Sequence, residues 1–255
     1  MNRIDQIFLR EEKLISIYFT AGYPNIHDTI PVLKKLQKAG VDLIEIGLPF
    51  SDPLADGPTI QESSRTALNN GMSSKKLFDQ LKNVRKEIDI PLIIMGYFNP
   101  ILQYGVERFC ENSSKIGIDG LIIPDLPVDV YHDKYQKIFK KYNLYNMFLI
   151  TPQTNEKRIK YIDKVSKGFI YIVSNSSITG AKGSIENSQL NYFKKISSLK
   201  LKTPQLIGFG ISNSKTFDNA IMYSRGAIIG SAFIEFIKNE GINNIEKFID
   251  KIKVK

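Results

Sequence analysis

Eight short runs of apolar, largely β-branched residues punctuate the chain at intervals. The first four are LISIYFT (14–20), DLIEIG (42–47), PLIIMGY (91–97) and DGLIIPD (119–125); the second four are NMFLIT (146–151), GFIYIV (168–173), PQLIGFG (204–210) and GAIIG (226–230). Charged segments with helical spacing lie between them, such as Ile30, Leu33 and Leu36 in the first and Phe139 and Tyr142 in the fourth. Near-continuous apolar strands alternating with amphipathic helices predict a parallel sheet covered by helices, an α/β protein. Eight such units predict closure into a single (β/α)₈ barrel rather than an open sheet. Residues 2–10 read as an extra N-terminal helix, and helical stretches at about 59–69 and 74–87 fill the connection after the second strand.

Size and composition fit that frame. At 255 residues, with 42% hydrophobic and 24% charged residues, the chain suits one barrel domain spanning 1–255. No Gly-, Pro- or Ser-rich linker divides it, and SITGAKGSIENSQL (177–190) is the longest candidate loop. The charged start, MNRIDQIFLREEK, and the absence of an apolar run near the ~18 residues of a membrane span predict a cytoplasmic protein. The net charge of +9 is spread over helical segments instead of forming a basic stripe with aromatics, which disfavours nucleic acid. A single cysteine, Cys110, excludes an internal disulfide and a thiolate cluster, and is expected to be an inert helix residue.

Barrel chemistry belongs where strands end and βα loops begin. Glu45 lies in an apolar run beside Leu43, Ile44 and Ile46, where an unpaired charge is costly, so its pKa should rise toward neutrality. The proline-braced turn PFSDPLADGP (49–58) follows and returns a second acid, Asp56, toward the same rim; contact with turn N–H groups or solvent would keep it ionised. Two carboxylates in different environments divide acid and base roles. Tyr18 and Thr20, Tyr97, Asp125, Tyr171 and Phe209 fall at the ends of runs one, three, four, six and seven, and a floor of aromatic and apolar groups around two acids suits a flat, apolar substrate. GFGIS (208–212) and GSAF (230–233), with ITG (178–180), offer a phosphate pocket in which Gly210, Gly230 and Ser231 donate N–H groups. None of the eight runs contains lysine, which disfavours a Schiff-base aldolase, and His27 and His132 stand apart at helix beginnings, without metal-ligand spacing. Acid–base lysis or isomerisation of a sugar phosphate remains.

PFSDPLADGPTIQ, MGYFNPILQYG, LIIPDLP, GFGIS and GSAF occur in one order along the chain, which in these motifs resembles the α subunits of tryptophan synthase from end to end. The resemblance implies retro-aldol cleavage of indole-3-glycerol phosphate to indole and D-glyceraldehyde 3-phosphate. It makes Glu45 the acid–base group, Asp56 the acceptor of the indole N–H, and Tyr171 a support for the acid. Tyr18, Ile60, Tyr97 and Phe209 would line the indole pocket, and Gly180, Gly210, Gly230 and Ser231 would hold the phosphate. Thr179 would lie on a loop closing over substrate toward Asp56. In SNSSITG (174–180), Ser177 and Ile178 stand where family members commonly show glycine and valine. The resemblance further implies no cofactor in this chain, an α₂β₂ complex with a β subunit that carries pyridoxal phosphate, and docking through 49–58 and 99–105. A stand-alone indole-releasing lyase and a non-catalytic activator of the β subunit are the alternative readings; a barrel isomerase would place paired aspartates on strands one and five, which here end in Thr20 and Thr151.

Overall fold

A computed structural model describes residues 1–173, 187–208 and 210–253 of the chain. Its eight strands are β1 (Leu14–Thr20), β2 (Leu43–Gly47), β3 (Leu92–Met95), β4 (Gly120–Ile122), β5 (Tyr145–Ile150), β6 (Ile170–Val173), β7 (Gln205–Gly208) and β8 (Gly226–Ile229). They pair in sequence order, all parallel, and β8 returns to β1 through Leu14↔Gly226 and Ile17↔Ile229, so the sheet closes into the expected (β/α)₈ barrel. Most of the hydrogen-bonded strands are shorter than the apolar runs that announced them. β3 ends at Met95, two residues before Tyr97, and β4 ends at Ile122, three residues before Asp125, because Pro124 has no N–H to extend a ladder.

Strand alternation sorts the buried residues into two clusters. Leu14, Leu43, Ile93, Ile122, Met147, Phe169, Leu206 and Ile228 fill the barrel interior, whereas Ile15, Ile17, Ile44, Ile46, Ile94 and Ile172 face the surrounding helices. Both faces of every strand are therefore dry, which is why the sequence shows apolar runs and not a polar–apolar alternation.

The N-terminal helix Arg3–Phe8 stops the lower end of the barrel. Asn2 caps it by accepting from Ile4 N at 2.9 Å and ties it to the barrel by donating to Asp119 O at 2.9 Å. Ile4 and Ile7 are buried among the interior residues, and full burial of each is worth about 1.5–3 kcal/mol. Tyr145 donates to Asp5 at 2.6 Å and Arg3 pairs with Asp119 at 3.1 Å, fixing the orientation of the plug.

Two helices, Pro58–Asn69 and Ser74–Leu81, fill the connection after β2 as anticipated, the second followed by a short 3-10 turn at Val84–Lys86. A second doubled connection, Phe98–Tyr104 and Val106–Lys115, follows β3 and was not foreseen. Its helices meet at Gly105, whose φ of +92° breaks the helical path. Among the described residues no helix is long and apolar enough to cross a membrane.

Candidate active site

Glu45 points into the barrel between the inward positions Leu43 and Gly47 and is fully buried (0% exposed). Of its three expected apolar neighbours only Leu43 shares its side of the sheet. Ile44 and Ile46 face the helices, because adjacent strand residues take opposite faces. Glu45 Oε1 accepts a hydrogen bond from Ser16 Oγ at 2.7 Å, while Oε2 is buried with no hydrogen-bond partner among the described residues. Burial drives the carboxyl up to about 8 against the smaller, opposing effect of the Ser16 hydrogen bond. Glu45 therefore holds a proton at neutral pH.

Asp56 stands at the rim, half-buried, on the turn between β2 and the helix Pro58–Asn69. Its N–H bonds Pro53 O at 3.0 Å, and its own carbonyl receives Gln61 Nε2 at 2.9 Å. Tyr97 clamps the turn from the next βα connection. Its hydroxyl accepts from Ala55 N at 2.9 Å and donates to Asp56 Oδ2 at 3.1 Å, and its ring packs on Phe50 with centroids 5.2 Å apart. Burial lifts the Asp56 carboxyl to about 6 and the Tyr97 hydrogen bond restrains the rise. Asp56 is thus ionised at pH 7 while Glu45 is protonated, the division expected from two unlike environments.

Two tyrosines lie within electrostatic reach of both acids. Tyr18 on β1 and Tyr171 on β6 have hydroxyls pushed above their usual range, first by burial and then by the charges of Asp56 and Glu45. Each hydroxyl lies against a strand glycine that admits it. A Cβ on Gly47 would sit 2.2 Å from the Tyr18 hydroxyl, and one on Gly208 would sit 2.2 Å from that of Tyr171. Neither glycine was singled out from the sequence, since its role depends on a ring arriving from another strand. Ser16 was missed as well, although a hydroxyl at an inward position of an apolar strand needs a partner and was the available signal.

The remaining expected residues divide by environment. Thr20 is fully buried, and its hydroxyl shares a 2.7 Å hydrogen bond with Ser63 of the helix Pro58–Asn69, whose Oγ also reaches Ile60 O at 2.9 Å. Ile60 is buried on that helix. Asp125 is exposed on the loop after β4 and accepts from Phe98 N at 2.8 Å, capping the first helix after β3. Gly210 has a φ of +78°, a conformation reserved largely for glycine. Gly230 and Ser231 begin the ten-residue helix Ser231–Glu240, whose N-terminus has no side-chain cap among the described residues. The helix after β7, Ser214–Ile221, is by contrast closed by a capping box between Asn213 and Thr216. Thr179, Gly180 and Phe209, with Ser177 and Ile178, lie outside the described residues. Among those that are described, no group of three or more His, Cys, Asp or Glu side chains is arranged to hold a metal ion. Cys110 is buried with its thiol pushed up to about 12 by burial, in keeping with an inert helix residue.

Comparison with known proteins agrees with this geometry. The family model described as tryptophan synthase alpha chain matches residues 6–255. The tryptophan synthase alpha chain of Flavobacterium psychrophilum is 61% identical over 252 residues, covering 99% of this chain and 100% of that one. That of Parabacteroides distasonis is 48% identical over 256 residues, with 99% and 100% covered. The solved structure of tryptophan synthase subunit alpha from Legionella pneumophila superposes with a TM-score of 0.88 at 29% identity, covering 99% of this chain and 97% of that one. The protein described here belongs to the tryptophan synthase alpha chain family, whose role is the cleavage of indole-3-glycerol phosphate in tryptophan biosynthesis.

Proposed function

We propose that Glu45 and Asp56 carry the cleavage of indole-3-glycerol phosphate by a retro-aldol route to indole and D-glyceraldehyde 3-phosphate. The observation that carries this reading is the fully buried Glu45 carboxyl with its single hydrogen bond from Ser16, which burial pushes up to about 8, while the rim carboxyl of Asp56 is pushed only to about 6. Glu45 gives its proton to indole C3, which turns the ring into an electron sink. Asp56 accepts the indole N–H and offsets the positive charge that develops there. Glu45, now a carboxylate, takes the proton of the side-chain hydroxyl next to the ring. The C–C bond then breaks, its electron pair returns to the indole, and the hydroxyl carbon leaves as the aldehyde. Glu45 ends protonated, so the cycle closes without an external acid or base.

The half-buried Tyr18, with Ile60 and Tyr97, lines the indole pocket, and Tyr171 supports Glu45. Thr20, braced by Ser63, and Asp125, held by its cap on Phe98, belong to the substrate-binding set at this end of the barrel. Gly210, Gly230 and Ser231 receive the phosphate, because the helix that begins at Ser231, with no side-chain cap among the described residues, presents N–H donors and a positive dipole end. Thr179, Gly180 and Phe209 complete the site by resemblance alone.

The family works with a β subunit, and we assign this chain to an α₂β₂ assembly that docks through 49–58 and 99–105. Leu54 and Leu102, 82% and 49% exposed on those two segments, give this rim apolar side chains that a partner would cover. Pyridoxal phosphate belongs to the β subunit in this reading. The pH dependence of kcat/KM for indole release by the complex tests the assignment. A bell with limbs near 6 and 8 is expected, from Asp56 ionising and Glu45 losing its proton; a rate that falls neither below 6 nor above 8 contradicts it.

A further inference from the structure

Ser16 has no place in the mechanism above, yet it is the group that holds the catalytic carboxyl. On β1 the inward positions recur every second residue, and Ser16 lies opposite Leu43 in register, two residues below the Tyr18↔Glu45 pair. Its other strand neighbour is Ile228 of β8, and Ile93 of β3 stands opposite Glu45, so the surrounding positions are apolar. A fully buried hydroxyl in such a setting is stable only with a partner, and its partner is Glu45 Oε1 at 2.7 Å. The contact is asymmetric. Oε1 is occupied as an acceptor, and Oε2 is left buried without a partner among the described residues.

We propose that Ser16 is a positioning residue for the lyase reaction, holding Glu45 Oε1 as an acceptor so that the proton is carried and exchanged through Oε2. The O–H of Ser16 aimed at Oε1 disfavours a proton on that oxygen, since the two hydrogens would compete for one line of contact. The same bond stops the carboxyl from rotating, so the oxygen that meets substrate is always the same one. Loss of the hydroxyl removes both effects and also one group that favours the carboxylate form. The titratable groups facing this carboxyl are Tyr18 on β1 and Tyr171 on β6, both held neutral by burial, while Asp56 acts on the same two tyrosines from the rim.

The inference rests on the assignment of Glu45, and the test separates the two. Indole release by the αβ complex is measured against pH for wild type, Ser16→Ala, Ser16→Thr and Glu45→Gln. Ser16→Ala is expected to lower kcat by about tenfold with KM within about twofold, and to move the alkaline limb of the pH profile up by about one pH unit. Ser16→Thr keeps the hydroxyl and is expected to restore both. If Ser16→Ala does not fold, Ser16→Cys, close in size and a weaker donor, carries the same comparison. A Ser16→Ala or Ser16→Cys enzyme with the wild-type alkaline limb, whatever its kcat, overturns the proposal. An inactive Glu45→Gln beside that result leaves the role of Glu45 standing, whereas an active Glu45→Gln removes the reading on which the proposal rests.

Discussion

Burying a carboxyl with one hydrogen bond suits Glu45 to the role proposed for it and also weakens the fold. The folded state holds its proton up to about 8, against a usual value of 4.5. As pH rises from 4.5 toward 8, the unfolded chain releases this proton first, so each pH unit takes about 1.4 kcal/mol from stability until both states are ionised. Glu45→Gln lacks this titration. It should therefore gain melting temperature over wild type between pH 5 and pH 8, roughly 2–4 °C for each kcal/mol, and the difference should level off above 8. A difference independent of pH, measured by calorimetry, would mean that Glu45 does not hold its proton in the folded chain. At this scale the two acids were legible because a charge in an apolar run and a turn braced by three prolines are local anomalies. Gly47 and Gly208 were not, because each acquires its role only when a ring from another strand meets it, and Ser16 offered only the signal of a hydroxyl inside an apolar run, without its partner.

Elements were legible where burial made them distinctive. Strands dry on both faces leave unbroken apolar runs, and all eight were located, but the runs at 91–97 and 119–125 continue past the last ladder residue into loops whose first residues, Gly96 and Ile123, are also buried. Sequence hydrophobicity records burial and not hydrogen bonding, so it overran at Gly96 and Ile123. The helix pair after β3 was invisible for a related reason, since its break at Gly105 depends on a positive φ that one glycine does not announce. The N-terminal helix was foreseen as an appendage, and its depth of insertion was not. Ile4, fully buried against the barrel interior, is expected to cost about 2–5 kcal/mol when truncated to Ala. Chemical denaturation checks this: a loss below 1 kcal/mol would mean that the plug contributes little. Indole release by the folded Ile4→Ala protein should stay near wild type, because the plug is at the end of the barrel away from Glu45 and Asp56.

The whole molecule separates stability from chemistry along the barrel axis. The lower end is closed by the Arg3–Phe8 plug with its Asn2 and Asp119 contacts, and the upper end has the acids, the tyrosines and the helix Ser231–Glu240. Closure through β1 and β8 was implied by the count of eight units, while the register that sets Tyr18 beside Glu45 was beyond reach of any single strand's sequence. The rim that holds Asp56 also presents Leu54 and Leu102, so the proposed docking surface and the proposed site share one loop system. Replacing both leucines with Asp is expected to weaken association with the β subunit at least tenfold, or about 1.4 kcal/mol, with the melting temperature of the isolated chain unchanged. Titration of the β subunit by calorimetry reads this directly, and unchanged affinity would move the docking surface elsewhere.

The central claim is that one buried carboxyl both gives and takes the proton of the lyase reaction. Its most direct test is indole release from indole-3-glycerol phosphate by wild type and Glu45→Gln in the presence of the β subunit. The account predicts a fall of about 10²–10⁴-fold in kcat for Glu45→Gln with glyceraldehyde 3-phosphate binding retained; release within tenfold of wild type would contradict it.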